Sequence, residues 1–599
     1  MCGIIAFARN NGGDRVQDVL LEGLSRLEYR GYDSAGIAIA NGSLALAKKS
    51  GELDELKTVL TDQRLEGNVG IGHTRWSTHG PPTDANAHPH SDCTDSIAVV
   101  HNGIIENYVS LRSQLEAVGH EFKSETDTEV IPHLIEEELA AGVEPEIAFR
   151  QAVSMLDGSF AIAAIVGDGR IFGARQSSPL VVGLGNGGRF LASDVPAFID
   201  HTDQVIYLDD GETVTIDGER ISVRDSDGNE RSKPVNQIDW DPEDAGKSGY
   251  EHFMLKEINE QPNAIRQCLQ HRVKELTETV DLPELTEVSF HPEHGVHLVA
   301  AGTSYHAALF GARLLWRHGI PAQTFIASEY DADAVPIGEE TVVIGVSQSG
   351  ETADTLSALR AANRRGAETI AVTNIIQSSA ARECDHSLYI RAGPEIGVAA
   401  TKTFGSQVVA LMLLVAAVTD DVVPGLIEDL RELPDRIQQI LDTSRAREIA
   451  EEYVDADAYF FIGRGLNVPV ALEGALKMKE ITYKHAEGFA AGELKHGPLA
   501  LVTEQTPVFA VVTEGNRATK TLGNVKEVQA RGAPVIAITD MVDAVEPFAD
   551  AVMEIPSGGE RVTPLLANVQ LQLVSYWVAN ELGRSIDKPR NLAKSVTVE

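Results

Sequence analysis

Cysteine is scarce in this chain: 599 residues hold four, Cys2, Cys93, Cys268 and Cys384, far apart and without a CxxC pair. That scarcity excludes a disulfide framework and a zinc ribbon, so any cysteine that matters is expected to act alone. Long hydrophobic runs are missing as well. The longest, Val408 to Val418, is too short to span a bilayer, and the N-terminus has no basic segment followed by an apolar one. A cytoplasmic location is the expectation. Positive charge is in short supply, with 50 Lys and Arg against 89 Asp and Glu and a net charge of -39 spread along the chain rather than gathered in a tail. Neither nucleic acid nor an anionic membrane is expected as a partner, and a salt-rich cytosol is inferred to screen the self-repulsion. Heptads, collagen-like repeats and low-complexity tracts are also absent.

What is present is modular. The length exceeds what one hydrophobic core supports. Up to about Asp239, short strand-like runs (Gly3 to Ala8, Ser34 to Ala40, Ile97 to His101, Phe160 to Val166, Leu180 to Gly183, Thr213 to Ile216) predict a sheet-rich α+β domain. An acidic, polar stretch from Asp239 to Gly249 reads as a linker, and a helical segment runs from His252 towards Val273. The second half repeats itself. Val342-Val-Ile-Gly-Val-Ser347, a helix and Arg365 to Asn374 are matched by Pro507 to Thr513, a helix and Arg531 to Asp540. The same offset of 166 residues that relates Arg365 to Arg531 relates Leu356 to Leu522 and Thr373 to Thr539. Two copies of one α/β unit follow, each with apolar strands and amphipathic helices that predict a parallel sheet covered on both faces. Ligands of such sheets bind at the carboxyl ends of the strands.

Met1-Cys2-Gly3-Ile4-Ile5 sets a thiol just ahead of a strand. Loss of Met1 leaves Cys2 with an α-amine of pKa about 8, so that one residue supplies nucleophile and general base. Position alone favours a buried structural thiol; the remaining motifs reverse that reading. Gly72-His-Thr-Arg-Trp-Ser-Thr-His79 offers Arg75 as a fork for an α-carboxylate. His101-Asn-Gly-Ile-Ile-Glu-Asn107 offers the Asn102 amide and the Gly103 N–H, the parts of an oxyanion hole. Ser124 to Glu129 supplies Asp127 for an ammonium group. Together these describe an amino-acid amide site. His79, His88, His90 and His101, near Cys93, invite a metal reading, but their spacing fits no standard zinc pattern and no metal is expected there.

In the second half, the strand ending at Val346 runs into Ser347-Gln-Ser-Gly-Glu-Thr352 and then a helix, a cradle of hydroxyls and N–H groups suited to a phosphate monoester. A serine-rich helix cap without ligand remains the alternative. No Gly-Lys-Ser/Thr ending follows, so no nucleotide loop is read, and the equivalent Thr513-Glu-Gly-Asn-Arg517 has fewer hydroxyls and an acid, so only the first copy is expected to hold phosphate. Gly302-Thr303-Ser304 adds donors, and Phe460 to Gly465 lacks the third glycine of a dinucleotide loop. Lys477 and Glu480 sit three apart on one helical face, which reads as a solvated salt bridge or a reactive pair. His496 lies in a constrained Gly492 to Pro498 loop, where an imidazole works as acid and base at neutral pH. Lys594, near the C-terminus, is a candidate for Schiff-base chemistry if desolvated.

The first domain resembles the N-terminal-nucleophile glutaminases shared by several amidotransferases. With Phe253 to Pro262 and the motifs above, the whole chain resembles the isomerising glutamine:fructose-6-phosphate aminotransferases. That resemblance implies a glutaminase at 1–239, a linker at 240–250, a helical connection at 251–290, sugar-isomerase domains at 291–430 and 431–584, and an active-site tail at 585–599. It implies that Cys2 attacks the glutamine amide, that Asn102 and Gly103 hold the oxyanion, and that Arg75, Asp127, Thr78 and His79 bind glutamine. Trp76 resembles the family's gate on an ammonia channel. Fructose 6-phosphate is then held by Gly302, Thr303, Ser304, Ser347, Gln348, Ser349, Thr352 and Val398. His496 opens the ring, Lys594 forms the imine, and Lys477 and Glu480 move the protons from ketose to aldose. No metal or organic cofactor is needed, because the imine acidifies the neighbouring C–H. A homodimer through the sugar half is implied, with one active-site histidine crossing between subunits. Two departures stand out: Ala301 replaces a cysteine common among relatives, and the short linker has no room for a regulatory insertion. Competing readings are a sugar-phosphate deaminase and a sensor of sugar phosphates without turnover; phosphoribosylamine- and asparagine-forming amidotransferases lack support in any downstream signature.

Overall fold

The computed structural model describes all residues except 1, 11–12, 77–79, 167–168, 239–246, 248, 275–278, 286–287, 289–294, 377, 420–424 and 598–599. The expected linker therefore lies almost wholly outside the described residues. By contacts the chain forms two compact units, Met1–Ala245 with Ala593–Glu599, and Gly246–Leu592.

The first unit stacks two antiparallel sheets. One has eight strands in the order Asn236–Gln237, Gln204–Tyr207, Val181–Gly185, Gly188–Ala192, Gly3–Arg9, Val69–Arg75, Ser34–Ala40, Leu44–Ser50. The other has seven, in the order Glu230–Arg231, Arg220–Arg224, Thr213–Asp217, Arg170–Gln176, Gly158–Val166, Ile97–Ile105, His90–Ser91. Both central strands are buried on both faces, and alanines carry much of the inner layer. Ile4, Ala6 and Ala8 of one sheet meet Ala98, Val100, Ala161 and Ala163 of the other in a single apolar cluster. Helix Val16–Leu27 covers the outer face of the first sheet, burying Val16, Val19, Leu20, Leu24 and Leu27. Helices Tyr108–Val118, Val130–Ala140 and Pro145–Ser154 cover the second through Leu111, Ile131, Ile135 and Phe149. The order helix, sheet, sheet, helix follows from strands whose side chains are apolar on both faces and need cover on each.

The second unit holds two five-stranded parallel sheets of identical strand order. The first runs Ala322–Ile326, Val296–Ala300, Val342–Val346, Glu368–Thr373, His386–Tyr389; the second runs His485–Ala490, Ala458–Gly463, Val508–Val511, Val535–Thr539, Ala551–Glu554. The sequence repeat thus becomes a repeat of topology. The apolar run at Val408 lies in helix Lys402–Val418, buried from Lys402 to Ala416, and forms core together with helix Thr563–Glu581. A helix apolar on every side belongs inside a protein or a bilayer. Among the described residues no helix is long and apolar enough to cross a membrane. The expected connecting helix spans Phe253–Leu269 and joins the same core through Met254, Ile258 and Ile265. Its first N–H groups, at Phe253 and Met254, donate to the Asp587 carboxylate at 3.0 Å, a charged cap from the far end of the chain.

Candidate functional site

In the first unit, strand Gly3–Arg9 pairs with Val69–Arg75 so that Gly3 faces Thr74, which brings Cys2 beside the end of the latter strand. The Trp76 N–H donates to Cys2 Sγ at 3.1 Å. Burial pushes the thiol up, opposed by that N–H and by the nearby Arg75 guanidinium, so the sulfur keeps its proton until a base removes it. Met1, Thr78 and His79 lie outside the described residues.

Strand Ile97–Ile105 brings Asn102 to the same place, where its amide Nδ2 donates to the Cys2 carbonyl at 2.8 Å. The orientation of that amide is fixed from behind. His73 Nε2 lies 3.1 Å from both Asn102 Oδ1 and the His101 carbonyl, two acceptors, so Nε2 carries the proton and Oδ1 receives it. Burial drives His73 down to about 3, so it stays a neutral donor. One Asn102 N–H is spent on the Cys2 carbonyl, and the second makes no bond among the described residues. Gly103 has φ +124°, and a Cβ there would lie 1.9 Å from the Ser159 carbonyl oxygen, so no other residue can present its N–H in this way. Asp127 is buried, accepts from the Ile105 N–H at 2.8 Å through Oδ2, and makes no bond through Oδ1 among the described residues. Arg75 is buried at its strand end, where it donates to the Gly80 carbonyl at 3.3 Å, and Trp76 sets its ring edge-on to Tyr32 at 5.7 Å. A thiol, a side-chain amide, a glycine N–H, a carboxylate and a guanidinium therefore share one unit.

Of the histidines weighed for a metal, His79 lies outside the described residues, and His88, His90 and His101 have partners of their own. His88 stacks on His73 at 4.2 Å and meets His90 edge-on at 4.7 Å, while His90 and His101 bond the hydroxyls of Thr126 and Thr128. Burial holds His88 and His90 well below the usual histidine range, so they are neutral spacers behind Asn102. Cys93 is not among their partners.

In the second unit, Ser347 to Thr352 forms a closed turn between strand Val342–Val346 and helix Ala353–Arg364. Ser347 Oγ accepts from the Gly350 N–H at 3.1 Å and lies 2.9 Å from Thr352 Oγ1. The Gln348 carbonyl ties the turn to the next strand through Asn374 N at 3.0 Å, and the Ser349 hydroxyl accepts from Glu351 N. Gly350 has φ +64°, and a Cβ would meet Ser378 Oγ at 2.2 Å. The equivalent turn of the second repeat is acidic: Glu514 N donates to Asp540, and Glu560 lies 3.4 Å from a Cβ placed at Gly515. The first turn thus presents hydroxyls and N–H groups where the second presents carboxylates.

Lys477 and Glu480 are no solvated pair. Lys477 Nζ lies 2.6 Å from Glu480 and 3.4 Å from Glu473, with the lysine side chain 1% exposed. Glu473, fully buried, was not singled out from the sequence. It accepts from Thr303 Oγ1 at 3.0 Å and His306 Nδ1 at 2.7 Å, and the same Thr303 hydroxyl accepts from Lys477 at 3.2 Å. Burial opposes the ammonium, but Glu480 and Glu473 outweigh it and raise Lys477. Burial likewise opposes the Glu473 carboxylate, and Lys477, His306 and Thr303 outweigh it and lower its pKa. Thr303 is thus engaged by the charged network, and Ser304 accepts from Gln407 at 2.9 Å. Gly302, with φ +54°, opens helix Gly302–Arg317. Val398 lies in a loop tied to Asp587 O at 3.1 Å, with Gly397 N donating to Glu257 at 3.0 Å. His496 ends a short 3-10 helix, Ala491–His496, exposed and with no hydrogen bond among the described residues. Lys594 is half-buried on the tail that groups with the first unit.

The geometry agrees with comparisons. Residues 73–200 match a family described as a glutamine amidotransferase domain, and residues 289–417 and 452–582 match the SIS domain family. Over its full length the chain is 50% identical to the glutamine--fructose-6-phosphate aminotransferase [isomerizing] of Halobacterium salinarum, with 100% of both chains covered. It is 50% identical to the protein of the same name from Methanothermobacter thermautotrophicus, again with 100% coverage of both. Among solved structures, the C-terminal domain of glucosamine-fructose-6-phosphate aminotransferase from Francisella tularensis matches at 35% identity and TM-score 0.52, covering 57% of this chain and 99% of that one.

Proposed function

The chain belongs to the family of isomerising glutamine–fructose-6-phosphate aminotransferases, and from that membership we propose which of its residues carry each step. The enzyme moves the amide nitrogen of glutamine onto fructose 6-phosphate and isomerises the product to glucosamine 6-phosphate, releasing glutamate. Cys2 is the nucleophile, and its own α-amine, exposed by loss of Met1, is the base. The convergence of Cys2 Sγ, the Trp76 N–H and the Asn102 amide carries this assignment. The second Asn102 N–H and the Gly103 N–H receive the oxyanion of the tetrahedral intermediate, where charge develops. Arg75 takes the α-carboxylate and Asp127 the α-ammonium, with Thr78, His79 and Trp76 completing the pocket.

In the sugar half, Ser347, Gln348, Ser349 and Thr352 hold the phosphate, and Gly302, Thr303, Ser304 and Val398 flank the sugar. Lys477 and Glu480 move protons between C1 and C2, with Glu473 holding the lysine charged and in place. His496 opens the ring and Lys594 forms the imine. The exposure of His496, without a bond of its own, supports a homodimer in which this imidazole serves a neighbouring copy. Phosphorylated sugars do not cross membranes unaided, so the reading puts the enzyme in the cytoplasm.

The test uses glutamine labelled with 15N at the amide. Mass spectrometry should find the label in glucosamine 6-phosphate, and Cys2→Ala should abolish both labelling and glutamate release while isomerisation of fructose 6-phosphate survives. Label retained as free ammonium, with unlabelled sugar product, would refute the assignment. Mixing His496→Ala with Lys477→Ala chains tests the dimer: activity returning on mixing supports a shared site, and none returning overturns it.

A further inference from the structure

Cys93 has partners that its neighbours in sequence do not suggest. Its sulfur lies 3.6 Å from His120 Nδ1 and 3.7 Å from His133 Nδ1. Glu136 Oε2 lies 2.9 Å from the first of these nitrogens and 3.1 Å from the second. One ligand atom from each of the four residues falls within 4.8 Å of every other. The group joins three segments: the turn after strand His90–Ser91, the loop following helix Tyr108–Val118, and helix Val130–Ala140, where His133 and Glu136 share a face at a spacing of three.

The far sides of the two imidazoles decide what the near sides do. His120 Nε2 lies 2.9 Å from Glu137 Oε1, and His133 Nε2, buried and without a hydrogen bond, lies 4.0 Å from Glu129 Oε1. Glu137 can take the outer proton of His120, and Glu129 stands behind His133 at longer range, the placing found behind metal-bound histidines; with an ion bound, those outer nitrogens keep the protons and both Nδ1 lone pairs turn inward. The Cys93 N–H also donates to Glu136 Oε2 at 3.2 Å, and a cation that displaces the thiol and Nδ1 protons meets two imidazole nitrogens, a carboxylate oxygen and a sulfur at once. The spacing agrees: a tetrahedral ion with bonds of about 2.3 Å to sulfur and about 2.0–2.1 Å to nitrogen holds those atoms about 3.5 Å apart.

We propose that Cys93, His120, His133 and Glu136 form a structural site for a divalent transition ion of the zinc type. Two neutral imidazoles, a thiolate and a carboxylate balance the charge of a dication, and this mixed nitrogen, sulfur and oxygen set suits zinc rather than magnesium or calcium. Four protein ligands close the shell, so the ion acts as a clip and not as a Lewis acid. Its position gives the clip a use. Glu129, which backs His133, accepts from the Lys123 and Ser124 N–H groups at 2.7 Å and so holds the loop that carries Asp127. The ion fixes the start of helix Val130–Ala140 just beyond that loop.

The site is tested on the full-length chain, stripped with chelator and reloaded with Zn2+ or Co2+. Elemental analysis should find about one ion per chain, and Co2+ should give a thiolate charge-transfer band with the visible absorption of a tetrahedral centre. Cys93→Ala, an exposed substitution, should remove the band and the ion; Cys2→Ala should retain both, which separates the two thiols. Glu137→Gln, which weakens only the backing of His120, should loosen Zn2+ by about tenfold. A chain that binds no Zn2+ or Co2+ above background, or a band untouched by Cys93→Ala, would overturn the proposal in favour of a metal-free hydrogen-bond network.

Discussion

At the scale of single residues, the glutaminase site turns on which way one amide points. Asn102 could present either its oxygen or its nitrogen to Cys2, and His73 decides, because its neutral Nε2–H can only donate. On the proposed assignment Asn102→Ala takes one donor from the oxyanion, and it should lower kcat for glutamine hydrolysis by about 10²–10³ with little change in KM. Gly103→Ala meets the Ser159 carbonyl and an unfavourable φ, so it should abolish the activity and lower the thermal midpoint of the first unit; unaltered melting would contradict the geometry. Cys2, Asn102 and Gly103 could be singled out because each belongs to a short motif whose chemistry is written in residue type, and the structure brings them together. His73 was not, though it stands in the same motif as Arg75. Its task depends on the register that sets strand Val69–Arg75 near Asn102, and a one-residue shift in register turns every side chain to the other face. The surroundings of Cys93 were equally hidden: its sequence neighbours His88 and His90 are buried apart from it, and its spatial neighbours His120 and His133 come from segments much further along.

At the scale of elements, helix Asn467–Thr482 carries Glu473, Lys477 and Glu480 at successive turns of one face. The spacing of Lys477 and Glu480 was visible in sequence, but burial was not, since the helix meets helix Gly302–Arg317 from the other repeat. The pH dependence follows from the two shifts. Glu473, lowered by its partners, contributes stability that is complete above the ordinary carboxylate range and is lost as pH falls through its lowered value. Lys477, raised, contributes stability lost only as pH climbs through a value above that of an ordinary lysine. Stability from this cluster should be flat through neutrality and fall on the acid side. Glu473→Gln should cost about 3–5 kcal/mol at neutral pH, because it leaves a buried ammonium half-paired, and should flatten the acid limb. Urea titrations of both proteins across the acid range check this, and an unchanged limb would remove Glu473 from the account.

At the scale of the whole molecule, the repeat of 166 residues told of two like sheets, and both carry the same strand order, because period and apolar pattern alone specify a doubly covered parallel sheet. The path of the C-terminus had no such signature: Asp587 caps a helix of the second unit, while Ala593–Glu599 groups with the first. The strongest property at this scale is charge. Cations are too few to pair the acids, and many that pair do so at the surface, as Lys49 with Asp84 and Arg447 with Glu451, where each contact contributes little. The unpaired remainder repels itself over the Debye length, about 10 Å at 0.1 M salt and about 3 Å at 1 M. Raising KCl across that range should therefore raise the thermal midpoint, most steeply at the low end where the screening length changes most. NaCl should act equally, since screening depends on ionic strength and not on the identity of the cation. A midpoint indifferent to salt would mean that the carboxylates are spaced widely enough to ignore one another, and a response to K+ alone would replace general screening with ion binding at particular carboxylates.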